Sequence, residues 1–222
     1  MKYRYEIKIP ITSLNSDVID NYLLRLKKLR THNNDREINN IYFDTLNYDS
    51  ARNNLDGVSF RTKYRARWYK ENEIYSNCNI ELKIKNGRLN KKFVFPTCIK
   101  HTDVVNENFF EIIKSDLINR KIHDKNLLVQ KFFPIIQNQY QRNYFIYDNE
   151  IRLTYDRFVK YKNLKTQLVS DWNVDSLNVL EIKFDESKLS KARELISKLY
   201  LVPKRHSKYL RGLSLCNMAI YI

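Results

Sequence analysis

The sequence predicts an α+β fold built on one large curved antiparallel sheet or barrel of eight or so strands. Three observations carry that prediction. Several stretches alternate between apolar and charged residues, the two-residue period of an extended chain. Turn signals close together separate many of them, as antiparallel connections require. Helical patterns lie between and after the strands, so helices flank the sheet.

The elements follow in order. "YRYEIKIPI" (3–11) places Tyr3, Tyr5, Ile7 and Ile9 opposite Arg4, Glu6 and Lys8 and reads as a strand. Residues 15–30 carry an acidic first turn, an apolar stripe at Val18, Tyr22, Leu23 and Leu26 and a basic last turn, which suits a helix and its dipole. "INNIYFDT" (38–45) is a short strand, "YDSARNNLDG" a helical turn stopped by Gly57, and "FRTKYRARWY" (60–69) a third strand. "NIELKIKNGRLNKKFVF" gives two strands around Asn86-Gly87. Residues 102–121 predict a helix and 124–133 a second short one. Residues 135–162 have the β-branched and aromatic bias of paired strands turning at Asp148-Asn149. "NVLEIKFDE" (178–186) is a further strand, 187–202 an amphipathic helix ending before Pro203, and 207–222 a closing helix.

At 222 residues, with only 3 Gly and 4 Pro, no linker-like tract and no repeat, residues 1–222 are expected to form a single domain. The formal charge of +15 points to a polyanionic partner: nucleic acid, phosphate chains or an anionic surface. No apolar signal core opens the chain and no run of 18 apolar residues occurs, which argues against secretion and membrane spanning and makes the cytoplasm the expected compartment. Cys78, Cys98 and Cys216 fit neither a disulfide framework nor a zinc site, and the four histidines lack ligand spacing.

The charged faces of the strands carry the functional reading. In "FRTKYRARWY" Arg61, Lys63, Arg65 and Arg67 share one side, with Tyr64, Ala66 and Trp68 on the other. "EIK" (6–8), "ELK" (81–83) and "EIK" (181–183) repeat carboxylate, branched apolar, ammonium on three strands. Lys85 extends the second, and Arg152, Thr154 and Asp156 give a similar face. A solvated sheet face would account for any single strand. Across five, a face dominated by Arg, Lys and Glu suits a barrel with charges inside and apolar residues outside under helices. Buried unpaired charges are costly, so such an interior holds water, counter-anions or a substrate. A phosphate chain matches: Arg offers forked donors, Lys point charge, and carboxylates a seat for a hard divalent ion. Phosphoryl transfer asks for little beyond position and charge neutralisation, and no P-loop, triad or zinc motif competes.

In order along nearly the whole chain, "YRYEIKI", "IYFDT", "NNLDGVSFRTKYRARWY", "IELKIK", "YQRNYF", "IRLTYD", "VLEIKFD" and "SKYLRG" resemble the VTC domain, the polyphosphate polymerase branch of the triphosphate tunnel metalloenzymes (the CYTH-like superfamily). The resemblance implies an eight-stranded antiparallel β-barrel, a triphosphate tunnel with a charged interior and flanking helices. It implies phosphate contacts from Lys8, Arg65, Arg67, Lys83, Arg142, Arg152, Lys183 and Lys208, with Lys85 on the same face; Lys208, Arg65, Arg67 and Lys183 are the expected catalytic set. Metal binding, Mn2+ or Mg2+, is carried over to Glu181, with Glu6 and Glu81 as helpers. Arg61, Lys63 and Lys85 are expected nearer a tunnel mouth. Hydrolytic relatives carry Glu-x-Glu-x-Lys on the first strand; Arg4 replaces the first of these carboxylates, which favours phosphate over water as acceptor.

The expected function is therefore transfer of the γ-phosphate of a nucleoside triphosphate, such as ATP, onto a polyphosphate chain. Alternatives are a metal-dependent tripolyphosphatase, NTP or RNA 5′-triphosphatase, and a non-catalytic polyphosphate-binding module. A general nucleic-acid binder is disfavoured, because cations converging inside a tunnel cannot meet a duplex. Membrane-bound complexes of the family flank this domain with a regulatory domain and membrane helices. Neither occurs in this sequence, so the product is expected in the cytoplasm unless a separate membrane or regulatory partner anchors the protein.

Overall fold

Alternation does what it promises in β1 (Tyr5–Thr12): Ile7, Ile9 and Ile11 pack into an apolar cluster while Glu6 and Lys8 turn to the other face. The computed structural model that shows this describes residues 5–87, 89–105, 114, 118, 130–165 and 171–218. Its further elements are α1 (Ser16–Arg25), β2 (Leu29–Asp44), α2 (Asp49–Leu55), β3 (Phe60–Glu71), β4 (Ile74–Tyr75), β5 (Asn79–Asn86), β6 (Leu89–Pro96), β7 (Phe133–Tyr147), β8 (Ile151–Asn163), β9 (Asn173–Val174), β10 (Leu177–Phe184), α3 (Leu189–Lys198) and α4 (Lys208–Leu215).

All ten strands form one antiparallel sheet in the order β1-β10-β8-β7-β2-β3-β5-β6, with β4 beside β3 and β9 beside β8. The main path has the eight strands of the expected α+β architecture. The sheet curls without closing: among the described residues no ladder joins β1 to β6. Side chains and a strap reach across instead. Lys83 of β5 donates to Glu6 of β1 at 3.2 Å, and the Lys204 amide donates to the Lys8 carbonyl at 3.0 Å.

On the convex side, β1, β8 and β10 pack Ile9, Leu153 and Ile182 against Ile19 and Leu23 of α1 and Leu195 of α3. Tyr64, Ala66, Trp68 and Leu82 of β3 and β5 make a second cluster with Phe43. The third cluster departs from the all-charged interior. One end of the concave face is apolar, where α4 sets Tyr209 and Leu213 against Tyr42, Ile136, Tyr140 and Tyr161. Asp44 knits this end together: its carboxylate accepts from the amides of Thr45, Ser50 and Ala51 and from the Tyr209 hydroxyl at 2.7 Å.

Local pattern and structure part company in three places. β2 begins at Leu29 rather than Ile38; residues 30–35 are exposed and lack apolar alternation, and pairing to Tyr144–Tyr147 across a bulged ladder makes them extended. The first helix stops at Arg25, which frees that segment. The two-residue strands β4 and β9 carry no pattern that would announce them. Most of the helices predicted over 102–121 and 124–133 lies outside the described residues, although Lys114 and Ile118 are helical. Tyr3, Arg4 and residues 219–222 also lie outside them.

Gly212 lets α4 sit this close. A Cβ there would stand 2.5 Å from Tyr161 Cδ1 and 3.2 Å from Ile136 Cδ1, inside the contact distance of a ring buried on all sides. Gly212→Ala is therefore expected to destabilise the protein by about 1–3 kcal/mol in denaturant unfolding, despite the better helix propensity of alanine.

Candidate functional site

The alternating strands β1, β3, β5 and β10 turn their charged sides to the concave face, where they meet Arg142 of β7, Lys92 of β6 and the strap ahead of α4. Together they line a cavity of about 920 Å³. Fourteen Lys and Arg side chains line it, against the carboxylates of Glu6 and Glu181. The face resists its own repulsion because carboxylates are placed beside or behind selected cations.

Two of these carboxylates are buried beneath the cations. Asp156, 0 % exposed, accepts from Arg142 Nε at 2.5 Å and Nη2 at 2.7 Å and from Lys208 Nζ at 2.6 Å. Burial alone would raise its carboxyl, but Arg142 and Lys208 hold it down at about 2. Glu81 accepts from Arg65 Nε at 2.6 Å and Lys92 Nζ at 2.8 Å, with Arg67 Nη1 at 3.8 Å. Burial raises Glu81 too, and Arg65 and Arg67 outweigh it, so it stays ionised well below the usual carboxylate range. Arg67 is fixed further: its Nε donates to Asn40 Oδ1 at 2.7 Å, Asn40 donates to Asn138, and Nη2 donates to the Tyr140 hydroxyl at 3.2 Å. The Tyr140 ring lies under Lys208 and Arg142.

The other two carboxylates face the cavity. Glu6 lies 3.1 Å from Lys8 and 3.2 Å from Lys83; Glu181 lies 3.0 Å from Lys183, 3.7 Å from Arg142 and 4.0 Å from Lys8. Antiparallel pairing sets Lys8 opposite Glu181 and Glu6 opposite Lys183, which makes the two glutamates diagonal neighbours on one face. Against the upward effect of burial, Lys183 and Lys8 hold Glu181 well below its ordinary value. Burial lowers Lys8 and Lys83 alike. Glu6 and Glu181 overcome this at Lys8, whereas Lys83, which also feels Lys8, stays at about 8.

Lys8, Arg65, Arg67, Lys83, Lys85, Arg142, Lys183, Lys208, Glu6 and Glu181 thus line one cavity. Two residues do not fit. Arg152, two residues after the Asp148–Glu150 turn and opposite Lys183 in the β8–β10 ladder, is exposed and lies outside the lining. Glu81 does not line the cavity, and its oxygens are engaged by Arg65 and Lys92, which leaves it a backing charge rather than a metal ligand. Sequence reasoning passed over Asp156, seen only as one residue of a polar face, and the strap residues Lys204, Arg205, His206 and Ser207. The strap has no period to read; its only signal was adjacency to "SKYLRG". His206 is neutral in this setting, pushed down to about 3 by burial and by Lys208 and Lys8.

Asp156 generates a test. Removing one member of a buried ionic cluster costs about 3–5 kcal/mol, so Asp156→Asn should lose stability of that order at neutral pH. A carboxyl depressed in the folded state contributes stability above its unfolded value near 4 and loses it as pH falls toward 2. The gap between variant and wild type in denaturant unfolding should narrow over that window.

Comparison with known proteins agrees with this arrangement. Solved structures share the fold at low identity. A protein from Hippeastrum, named as a candidate adenylyl cyclase and described as having a dominant triphosphatase activity, matches with TM-score 0.58, 14% identity and 96% of each chain covered. The PH1819 protein of Pyrococcus horikoshii gives 0.54 and 12%, with 96% of this chain and 99% of that one covered. A candidate adenylate cyclase of Vibrio parahaemolyticus gives 0.53 and 13%, with the same coverage. No curated protein matches the chain. The family model described as the VTC domain matches residues 3–217, nearly the full length, and the chain belongs to the VTC domain family.

Proposed function

We propose that this protein is a metal-dependent phosphotransferase that moves the γ-phosphate of a nucleoside triphosphate onto the end of a polyphosphate chain lying in the concave cavity. The observation that carries the reading is the imbalance of charge: fourteen cations on one cavity against two carboxylates in its lining. Only a strongly anionic occupant relieves that repulsion, and phosphate oxygens suit both guanidinium forks and ammonium groups.

The cations divide the work by how they are held. Arg65, Arg67, Arg142 and Lys208 are fixed by Glu81, Asp156 and Asn40, so they meet a phosphate without reorganising. In the proposed reaction Arg65, Arg67, Lys183 and Lys208 neutralise charge on the transferring phosphoryl group. Lys8, Lys83, Lys85 and Arg142 hold the rest of the chain. Glu81 and Asp156 act as positioning residues behind them. Arg152, exposed and away from the lining, has no part.

Glu6 and Glu181 fit a divalent metal: two hard oxygen donors meet at the cavity wall and would hold Mg2+ or Mn2+. Among the described residues no group of three or more Asp, Glu, His or Cys side chains could hold an ion, so part of the coordination must come from substrate oxygens and water. When bound, the ion would supply charge neutralisation for the phosphates. So few carboxylates speak against a two-metal site that activates water and for phosphate as acceptor. Hydrolysis of the triphosphate is the second reading. The fold shared with the Hippeastrum protein, described as a triphosphatase, is what favours it.

Incubation with γ-labelled ATP and Mn2+ or Mg2+, resolved by chain length on a gel, tests the proposal. A ladder of phosphate chains is expected, reduced about a hundredfold or more in Glu181→Ala and in Lys208→Ala at a temperature where circular dichroism shows both variants still folded. Release of single phosphate alone would make the protein a hydrolase. Bound polyphosphate with no product would make it a binding module, and full activity in both variants would overturn the residue assignment.

A further inference from the structure

Lys63 stands apart from the cations around it. It is half-buried on β3, opposite Lys83 in the β3–β5 ladder and between Arg61 and Arg65 on the same face. Four of the cations around it are anchored by carboxylates, Arg65 by Glu81, Lys8 and Lys83 by Glu6 and Lys208 by Asp156, and Arg61 donates to the Val58 carbonyl. The Lys63 ammonium donates instead to the Ser207 hydroxyl of the strap at 3.3 Å and lies 6.0 Å from the centre of the Tyr209 ring. Among the described residues no carboxylate oxygen comes within 4 Å of it. Lys63 thus lines the cavity beside the strap.

We propose that Lys63 is a further phosphate-contacting residue of this site, and that it takes up a proton when a phosphate chain enters. This rests on the reading that the cavity binds phosphate chains. The physical reason is the missing counter-charge. A partly buried ammonium with only a hydroxyl and a ring beside it is costly until an anion arrives. The groups facing it are Lys8 from β1, Lys83 from β5, Arg61 from its own strand, Asp44 from the end of β2, and Ser207 and Tyr209 from the strap and α4. Burial, Lys8, Lys83 and Arg61 lower its proton affinity well below that of an ordinary lysine, and Asp44 opposes them weakly. A phosphate oxygen at the ammonium reverses the balance. Between the proton affinities of the empty and the occupied site, binding takes up a proton and must weaken as pH rises. The site then selects by charge: an uncharged or singly charged ligand does not repay protonation of Lys63, whereas a multiply charged chain does.

Calorimetric titration of metal-free protein with sodium tripolyphosphate, at fixed ionic strength and in two buffers of different ionisation enthalpy, reads affinity and proton uptake together. Wild type should bind with net proton uptake and more weakly at pH 9 than at pH 7. Lys63→Arg, which stays charged, should bind within a few-fold of wild type yet take up fewer protons; the difference isolates the lysine from the titration of the ligand and of Lys83. Lys63→Met should bind at least about tenfold more weakly while its empty form stays folded, because methionine carries no cost of desolvating or deprotonating an ammonium and this offsets the lost hydrogen bond to Ser207. Wild-type proton uptake in Lys63→Arg, or wild-type affinity in Lys63→Met, would overturn the inference and leave the phosphate-cavity reading standing. Absence of tripolyphosphate binding to wild type would overturn both.

Discussion

Mutual repulsion among cations on one side of a curled sheet is the constraint from which the rest of this structure follows. Neighbouring strands are less than 5 Å apart, so a face bearing Arg61, Lys63, Arg65 and Arg67 beside Lys83 and Lys85 cannot be assembled without opposing energy. The opposing energy comes from the other side. Tyr64, Ala66, Trp68, Leu82, Leu153 and Ile182 are all buried, in clusters that a strictly alternating strand supplies automatically. Carboxylates then sort the cations into those held at fixed positions by Glu81 and Asp156 and those, like Lys63, left to wait for an occupant. Pre-organisation and unrelieved repulsion coexist in one cavity, and both favour an anion over water.

Period-2 alternation was legible because it is enforced by geometry: every residue of β1, β3, β5 and β10 has only two directions in which to point. That is why Glu6, Lys8, Lys83, Glu181 and Lys183 could be placed on one face before any coordinates. What alternation does not encode is depth. Glu81 and Glu181 occupy the same place in the same three-residue pattern, yet one is sealed beneath two arginines and the other opens on the cavity. Arg152 obeys the face rule, opposite Lys183, and still misses the cavity. Irregular backbone was less legible still. The strap gains its place from a few long-range bonds, the Lys204 amide to the Lys8 carbonyl among them, that leave no periodic trace.

The position of α4 shows how a single contact can matter beyond its energy. The helix lies inside the curl rather than on the outer surface, and it is tied there by the Tyr209 hydroxyl on Asp44 and by the absence of a side chain at Gly212. Lys208 stands at its first turn, so the same packing that seals the apolar end of the concave face also sets an ammonium against Asp156. The helix and the cavity wall therefore share the same contacts.

Among the described residues no ladder joins β1 to β6, and that seam has a topological meaning. A barrel sealed by a full ladder of backbone hydrogen bonds is a ring, and a polymer can reach its lumen only by threading an end. Here the gap is crossed by the Lys83–Glu6 pair and the strap that lies along β1. Parting those contacts breaks ion pairs and few backbone bonds, far less than a ladder, and turns the ring into a clasp. Among the described residues the seam, and not any strand pair, is therefore the edge of the cavity wall held by the fewest backbone bonds.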